Sequence, residues 1–309
     1  MESSQTKDIF NFLEFLQNHY KTSDEIDLIE DLIEEVIEGK VQFTQQSRKG
    51  DYELMTPEES QRILEESNVY QMYKEDIGLK KLFFEELEKV KETWRMYADE
   101  PERAVYTKQE AGTNILSVYY KVKIPSSMMY PLTLLSEIDL LKEWMPSIIR
   151  SDQLESFSDF RKTLHIQREF PFPLSNREFH LCASACLVKQ HKGALIMLRS
   201  MNDDRIKNWN IKNIPEASDG FVKAQMIKGF LFSEHIDENT CWFHGMMNVD
   251  PKFAIIPDWL INFTVKRLIY VIMGKLQKLK VVESDIFERR VEERKDYYER
   301  IRKRLEEIK

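Results

Sequence analysis

Five β-prone segments follow one another at about residues 162–170, 178–189, 194–201, 221–233 and 240–248. Helices do not alternate with them as a doubly wound sheet requires, so an antiparallel sheet is expected. Upstream, "AVYTKQEAGTNILSVYYKVKIP" contains two further β-prone runs joined by Ala111-Gly112-Thr113-Asn114, which reads as a hairpin. "SMMYPLTLLSEIDLLKEWMPSII" returns to helical periodicity, with Leu134, Leu135, Ile138 and Leu141 on one side and Trp144 at its end. Pro251 and Pro257 then introduce a helical tract predicted to run nearly to Lys309. The order points to an α+β fold, a single curved antiparallel sheet wrapped around a long C-terminal helix.

The head has a different texture. Residues 7–38 read as two acidic helices, the first with Ile9, Phe10, Leu13, Phe15 and Leu16 at helical spacing, the second opening on a Ser23 cap and closing at Gly39. Thr56-Pro57-Glu58-Glu59 spells a capping box with proline at the first helical position. A further helix is predicted over residues 78–97. Charge follows this division: residues 1–100 carry 12 Lys+Arg against 25 Asp+Glu, residues 101–265 carry 19 of each, and residues 266–309 carry 14 against 9. Solvated helix faces or docking surfaces for oppositely charged partners account for such ends.

Several functions are excluded by what the chain lacks. None of the 9 glycines stand two apart, so neither a dinucleotide fingerprint nor a phosphate-cradling loop is present. There is no HExxH and no Gly-x-Ser-x-Gly elbow. His180, Cys182 and Cys186 share a strand face at a spacing unlike a zinc site, and no fourth ligand suggests itself. His244 reads as a hydrogen-bonded core residue, and Glu137, Asp139 and Glu143 as a solvated helix face. No catalytic residue, metal or cofactor is expected, and the chain is read as a non-enzyme. The central region carries no basic stripe interleaved with aromatics, which argues against nucleic acid. Three cysteines, Cys182, Cys186 and Cys241, read as core thiols in a reducing compartment. With no apolar run near the roughly 20 residues of a membrane span and no signal-like start, a cytoplasmic, non-secreted location is expected.

Three segments together resemble the START (steroidogenic acute regulatory-related lipid transfer) family of helix-grip domains: "LLSEIDLLKEWMP", "QREFPFPLSNREFHLCASACL" and "MMNVDPKFAIIPDWLINFTVKRLIYVIMGKLQ". The shared features are a helix ending in Trp144, the corner Pro173, Asn176, Arg177 and Glu178 between two central strands, and the Asp-Pro…Pro-x-Trp-Leu-x-Asn entry to the closing helix. The resemblance implies that the corner is scaffold. Pro173 restricts the chain, Asn176 tolerates a turn, and Arg177 bonds carbonyls and a carboxylate.

It further implies a deep cavity between sheet and C-terminal helix, holding a phospholipid, a sterol or another apolar ligand. On that reading Leu181, Ala183 and Ala185 face the ligand, and Met197, Met226, Phe230, Phe243 and Met247 supply deformable walls. Trp259, Leu260 and Phe263 close it from the helix, and Arg199, Arg168 or Lys228 meets a headgroup. The expected function is non-enzymatic lipid binding, with intermembrane transfer and transient membrane contact.

The resemblance leaves two extensions. The division expected is an acidic helical head over residues 1–75, a START-like domain over 76–282 and a charged, coiled-coil-like helical tail over 283–309. In the tail, Phe287, Val291, Arg294, Tyr298, Ile301, Leu305 and Ile308 alternate spacings of 4 and 3, a seam that wants a partner. That seam could close on the acidic head of the same chain, dock on another protein or, ranked below these, form a homodimer. The alternative function is therefore a START-like structural subunit of a larger assembly, docking through its helical extensions.

Overall fold

The computed structural model describes residues 5–23, 25–47, 50–109, 113, 115–172, 174–253, 258–278 and 284–308. Contacts divide the chain into two units, residues 1–81 with 202–212, and residues 82–201 with 213–309. The tail thus belongs to the second unit, and the head ends at Lys81 and takes in a later segment of the chain.

In the first unit, β1 (Gln5–Asp8) runs into α1 (Ile9–Thr22), followed by α2 (Ile26–Ile37), β2 (Val41–Gln46), β3 (Tyr52–Leu54), α3 (Pro57–Glu66) and the start of α4 (Asn68–Thr93). The buried residues of α1, Ile9, Phe12, Leu16 and Tyr20, are three or four apart, one helical face, which leaves Phe10 and Phe15 exposed. Helix α2 is capped at Glu25, whose N–H donates to Ser23 Oγ at 3.1 Å; the cap therefore falls two residues later than the sequence suggests. Gly39 at φ 70° ends it, since a left-handed residue is cheapest as glycine. The predicted capping box of α3 is present, with Glu59 N–H on Thr56 Oγ1 at 3.2 Å and Thr56 N–H on Glu59 Oε2 at 3.0 Å. Helix α4 begins ten residues before the predicted start and stops at Thr93, because residues 95–100 pair as a strand.

The second unit continues with β4 (Arg95–Glu100), β5 (Arg103–Gln109) and β6 (Leu116–Ile124), then α5 (Met129–Ser136), a 3-10 turn (Ile138–Leu140) and α6 (Leu141–Trp144). The strands β7 (Ile148–Ser158), β8 (Arg161–Arg168), β9 (Asn176–Val188) and β10 (Gly193–Ser200) follow. After α7 (Asp203–Trp209), which belongs to the first unit, come β11 (Phe221–Lys223), β12 (Gln225–Asp237) and β13 (Thr240–Asp250). The sheet order is β4-β5-β6-β13-β12-β10-β9-β8-β7, antiparallel along that path, with β11 added parallel to β9. Strand β7 is not foreseen in the sequence: its buried positions are sparse and three register shifts interrupt its pairing with β8. The hairpin loop at 110–112 and 114, Pro173 and Pro257 lie outside the described residues.

The closing helix is not one rod. It runs as α8 (Asp258–Phe263), a π-helical turn (Thr264–Ile269) and α9 (Tyr270–Lys278); α10 (Asp285–Glu293) and α11 (Lys295–Glu306) come after, separated at Arg294, whose φ is −113°. Among the described residues it buries Leu260, Leu268, Ile269, Ile272, Met273 and Leu276, one helical face of i, i+3 and i, i+4 neighbours from Leu268 on. Trp259 lies one position off that stripe and is 45% exposed, contrary to its expected place against the sheet.

Candidate functional site

Alternation along the central strands aims one set of side chains at the closing helix. From β9 these are Phe179, Leu181, Ala183 and Ala185; from β8, Lys162, Leu164, Ile166 and Arg168; from β6, Leu116, Val118 and Tyr120. Leu260, Thr264, Leu268, Ile269 and Ile272 face them from the helix. Together they enclose a predominantly apolar cavity of about 250 Å³. Ala183 and Ala185 retain accessible surface although they sit on a central strand. Alanine there leaves the gap that a larger side chain would fill.

Of the candidates from sequence, Leu181, Ala183, Ala185, Met226, Met247 and Leu260 line the cavity. Met197, Arg199 and Phe230 do not. Register explains it: Ile196 stands opposite Ala185 and Leu198 opposite Ala183, so these take the lining positions and Met197 and Arg199 point to the other face. There Arg199 Nη1 donates to Ser184 Oγ at 2.9 Å. Phe230 lies on that same face, its ring 5.2 Å from that of Phe83. A bulge between Met226 and Lys228 reverses the parity of β12, so Met226 and Leu231 both reach the cavity. Phe243 is buried against Tyr120 without reaching the cavity, and Phe263 is half-buried beside the core. Lys228 is ion-paired to Glu86.

The corner side chains bond to nearby backbone. Asn176 Oδ1 accepts from Phe170 N–H at 3.2 Å. Arg177 donates through Nε to the Pro251 carbonyl at 2.8 Å and through Nη1 to that of Ser175, and stacks over Phe253 at 4.2 Å. Its expected carboxylate partner is not among these contacts. Glu178, fully buried, accepts from Ser218 N–H at 3.1 Å and meets His165 Nε2 at 3.2 Å. His180 completes a buried cluster with these two, the ligand atoms of all three within 4.8 Å of one another. Cys182 and Cys186 are buried thiols. The cluster is invisible in the sequence because His165 comes from the neighbouring strand. His244 is bonded on both sides, to Tyr119 Oη at 2.9 Å and Glu234 Oε2 at 3.0 Å.

Charge is unevenly placed around the cavity. At one end, Ser136, Ile138, Asp159 and Lys162 are shared with an adjoining polar cleft that also holds Glu137, Asp139, Arg290 and Arg294. The tail helices complete this end. Phe287, Tyr298, Leu305 and Ile308 of the predicted seam are buried within the second unit, and Val291 and Ile301 are half-buried. At the other end stand Arg168, Phe170 and Pro251. Trp144, buried, ends α6 below this wall, and Lys275 Nζ donates to its carbonyl at 2.6 Å.

No family model matches the chain, and no curated protein does. Solved structures do. Human StAR-related lipid transfer protein 5 aligns at TM-score 0.55 with 11% identity, over 66% of this chain and 93% of that one. Human STARD10 aligns at TM-score 0.53 with 17% identity, over 64% of this chain and 77% of that one. At such identities the likeness concerns the backbone: the fold is START-like, an α+β helix grip.

Proposed function

We propose that the second unit binds an apolar ligand, a lipid, in the cavity between its sheet and α8–α9, without chemical conversion. The cavity itself carries this reading. A natural core packs to a density of about 0.74 and leaves few voids larger than a water molecule, whereas here strands and helix line about 250 Å³ of apolar, partly open space. The START-like backbone adds support, since a structure aligning at TM-score 0.55 is named for lipid transfer. Enclosure is what such a ligand needs, because each CH₂ withdrawn from water gains about 0.8 kcal/mol. Delivery between membranes, with brief membrane contact, follows from the same need, and the π turn beside the cavity is the segment we expect to move.

The competing role, a structural subunit docked through its tail, loses its main support. Phe287, Tyr298, Leu305 and Ile308 are committed inside the second unit. Native mass spectrometry of the full-length protein, followed by denaturing extraction, tests the proposal. One apolar molecule per chain is expected; a protein that co-purifies with none and takes up none from mixed vesicles refutes it.

A further inference from the structure

The cavity wall contributed by β8 is built asymmetrically. Its four lining residues are Lys162, Leu164, Ile166 and Arg168, two aliphatics between two cations. Six strand steps separate the cations, about 20 Å.

Lys162 has acids at hand: Glu137, Asp139 and Asp159 all favour its charge. Arg168 has none. Among the described residues no hydrogen bond or ion pair reaches its guanidinium, and the residue paired directly opposite is Arg177, a like charge. Arg177 in turn bonds only carbonyls. Burial lowers the pKa of Arg168 to about 10, so it remains a cation at neutral pH. Tyr120, a neutral phenol, is the one titratable group close enough to interact with it, and Tyr120 lines the same cavity. The tyrosine hydroxyl also makes no hydrogen bond among the described residues. A cation facing apolar cavity walls without an acceptor is unfavourable. An anion arriving from the cavity would offset this.

Size narrows the ligand further. About 250 Å³ lies below the roughly 300–1,000 Å³ of ordinary small-molecule pockets, room for one slender apolar body rather than a two-chain lipid.

We infer that the ligand is a single-chain amphiphile with an anionic head, a carboxylate or a phosphate, seated with that head at Arg168 and Tyr120 and its chain running toward Lys162. This rests on the cavity being a ligand site.

The test uses the full-length protein and three probes with one chain and different heads: palmitate, hexadecyl phosphate and hexadecanol. Binding is measured by titration calorimetry to wild type, Arg168→Met and Arg168→Lys. At least one anionic probe is expected to bind wild type about tenfold or more tighter than the alcohol, as a charge-assisted hydrogen bond would give. Whichever anion is preferred identifies the head. Arg168→Met should abolish that preference, bringing the anion's affinity down to that of hexadecanol, with the thermal midpoint unchanged or raised; Arg168→Lys should retain part of it. Equal affinity of wild type for all three probes, or a preference that survives Arg168→Met, overturns the inference and leaves the cavity reading intact. Failure of all three to bind wild type overturns both.

Discussion

Arg290 Nη1 donates to the buried Glu137 Oε2 at 2.8 Å, joining the first tail helix to the turn before α6. Arg294 Nη1 and Tyr298 Oη both reach the other oxygen of the same carboxylate. Glu137 thus takes three donors from the tail; Arg290 also bonds Asp139 and both arginines are partly exposed, whereas Tyr298 is fully buried. Glu137→Ala, which strands Tyr298 Oη and unties the two arginines, should destabilise the fold by about 2–3 kcal/mol, and Tyr298→Phe by about 1 kcal/mol. Urea unfolding of both variants checks this. A loss below 1 kcal/mol for Glu137→Ala would mean that the tail is held by its apolar seam alone.

Ala183 stands at the middle of the cavity-facing set of β9 with surface still accessible. Replacing it with phenylalanine should fill the space, abolishing uptake of an apolar fluorescent probe while changing stability by less than about 3 kcal/mol in either direction. Undiminished uptake would place the ligand elsewhere.

Gly245 faces the ring of Tyr120 so closely that an added Cβ would lie 2.3 Å from it. Gly245→Ala should therefore push the tyrosine toward the cavity, costing about 1–3 kcal/mol from overpacking. A weaker affinity for whatever the cavity holds should accompany the loss. Thermal denaturation and probe titration on one preparation measure the two together, and an unchanged melting curve would contradict the geometry.

Burial holds the pKa of His180 down at about 4 from its ordinary 6.5, with His165 and Lys223 adding to the effect and Glu178 opposing it. Between those values the unfolded chain binds the extra proton, so stability is full above about pH 6.5 and is lost as pH falls toward 4. Burial raises the pKa of Glu178, but its bonds to Ser218 and His165 outweigh this and carry it below 4.5, so its own acid loss comes at lower pH. Unfolding midpoints at pH 7 and pH 5 should fall further for wild type than for His180→Leu. Parallel falls in the two proteins would show that His180 is already protonated in the folded state.

Local signals were legible where chemistry acts over a few residues. The Thr56 capping box, the Gly39 helix stop and the strand-rich stretch from β8 to β13 all follow from propensity and side-chain reach. Strand β7 was not legible, because a bulged strand with few buried positions shows no clean alternation. Which face of β10 and β12 meets the cavity was equally hidden. A strand's two faces are equivalent until its partner fixes the register, and the bulge after Met226 reverses them midway.

The α+β class and the run of antiparallel strands before a closing helix are written in the chain's local patterns, since these depend on periodicity and on the stereochemistry of proline, asparagine and glycine. Only the tertiary structure decided that the tail seam closes within its own unit, that His165 joins Glu178 and His180, and that Arg168 faces an apolar cavity without an acid beside it. Those are pairings between residues far apart in the chain, and register and helix packing, rather than any local preference, bring them together.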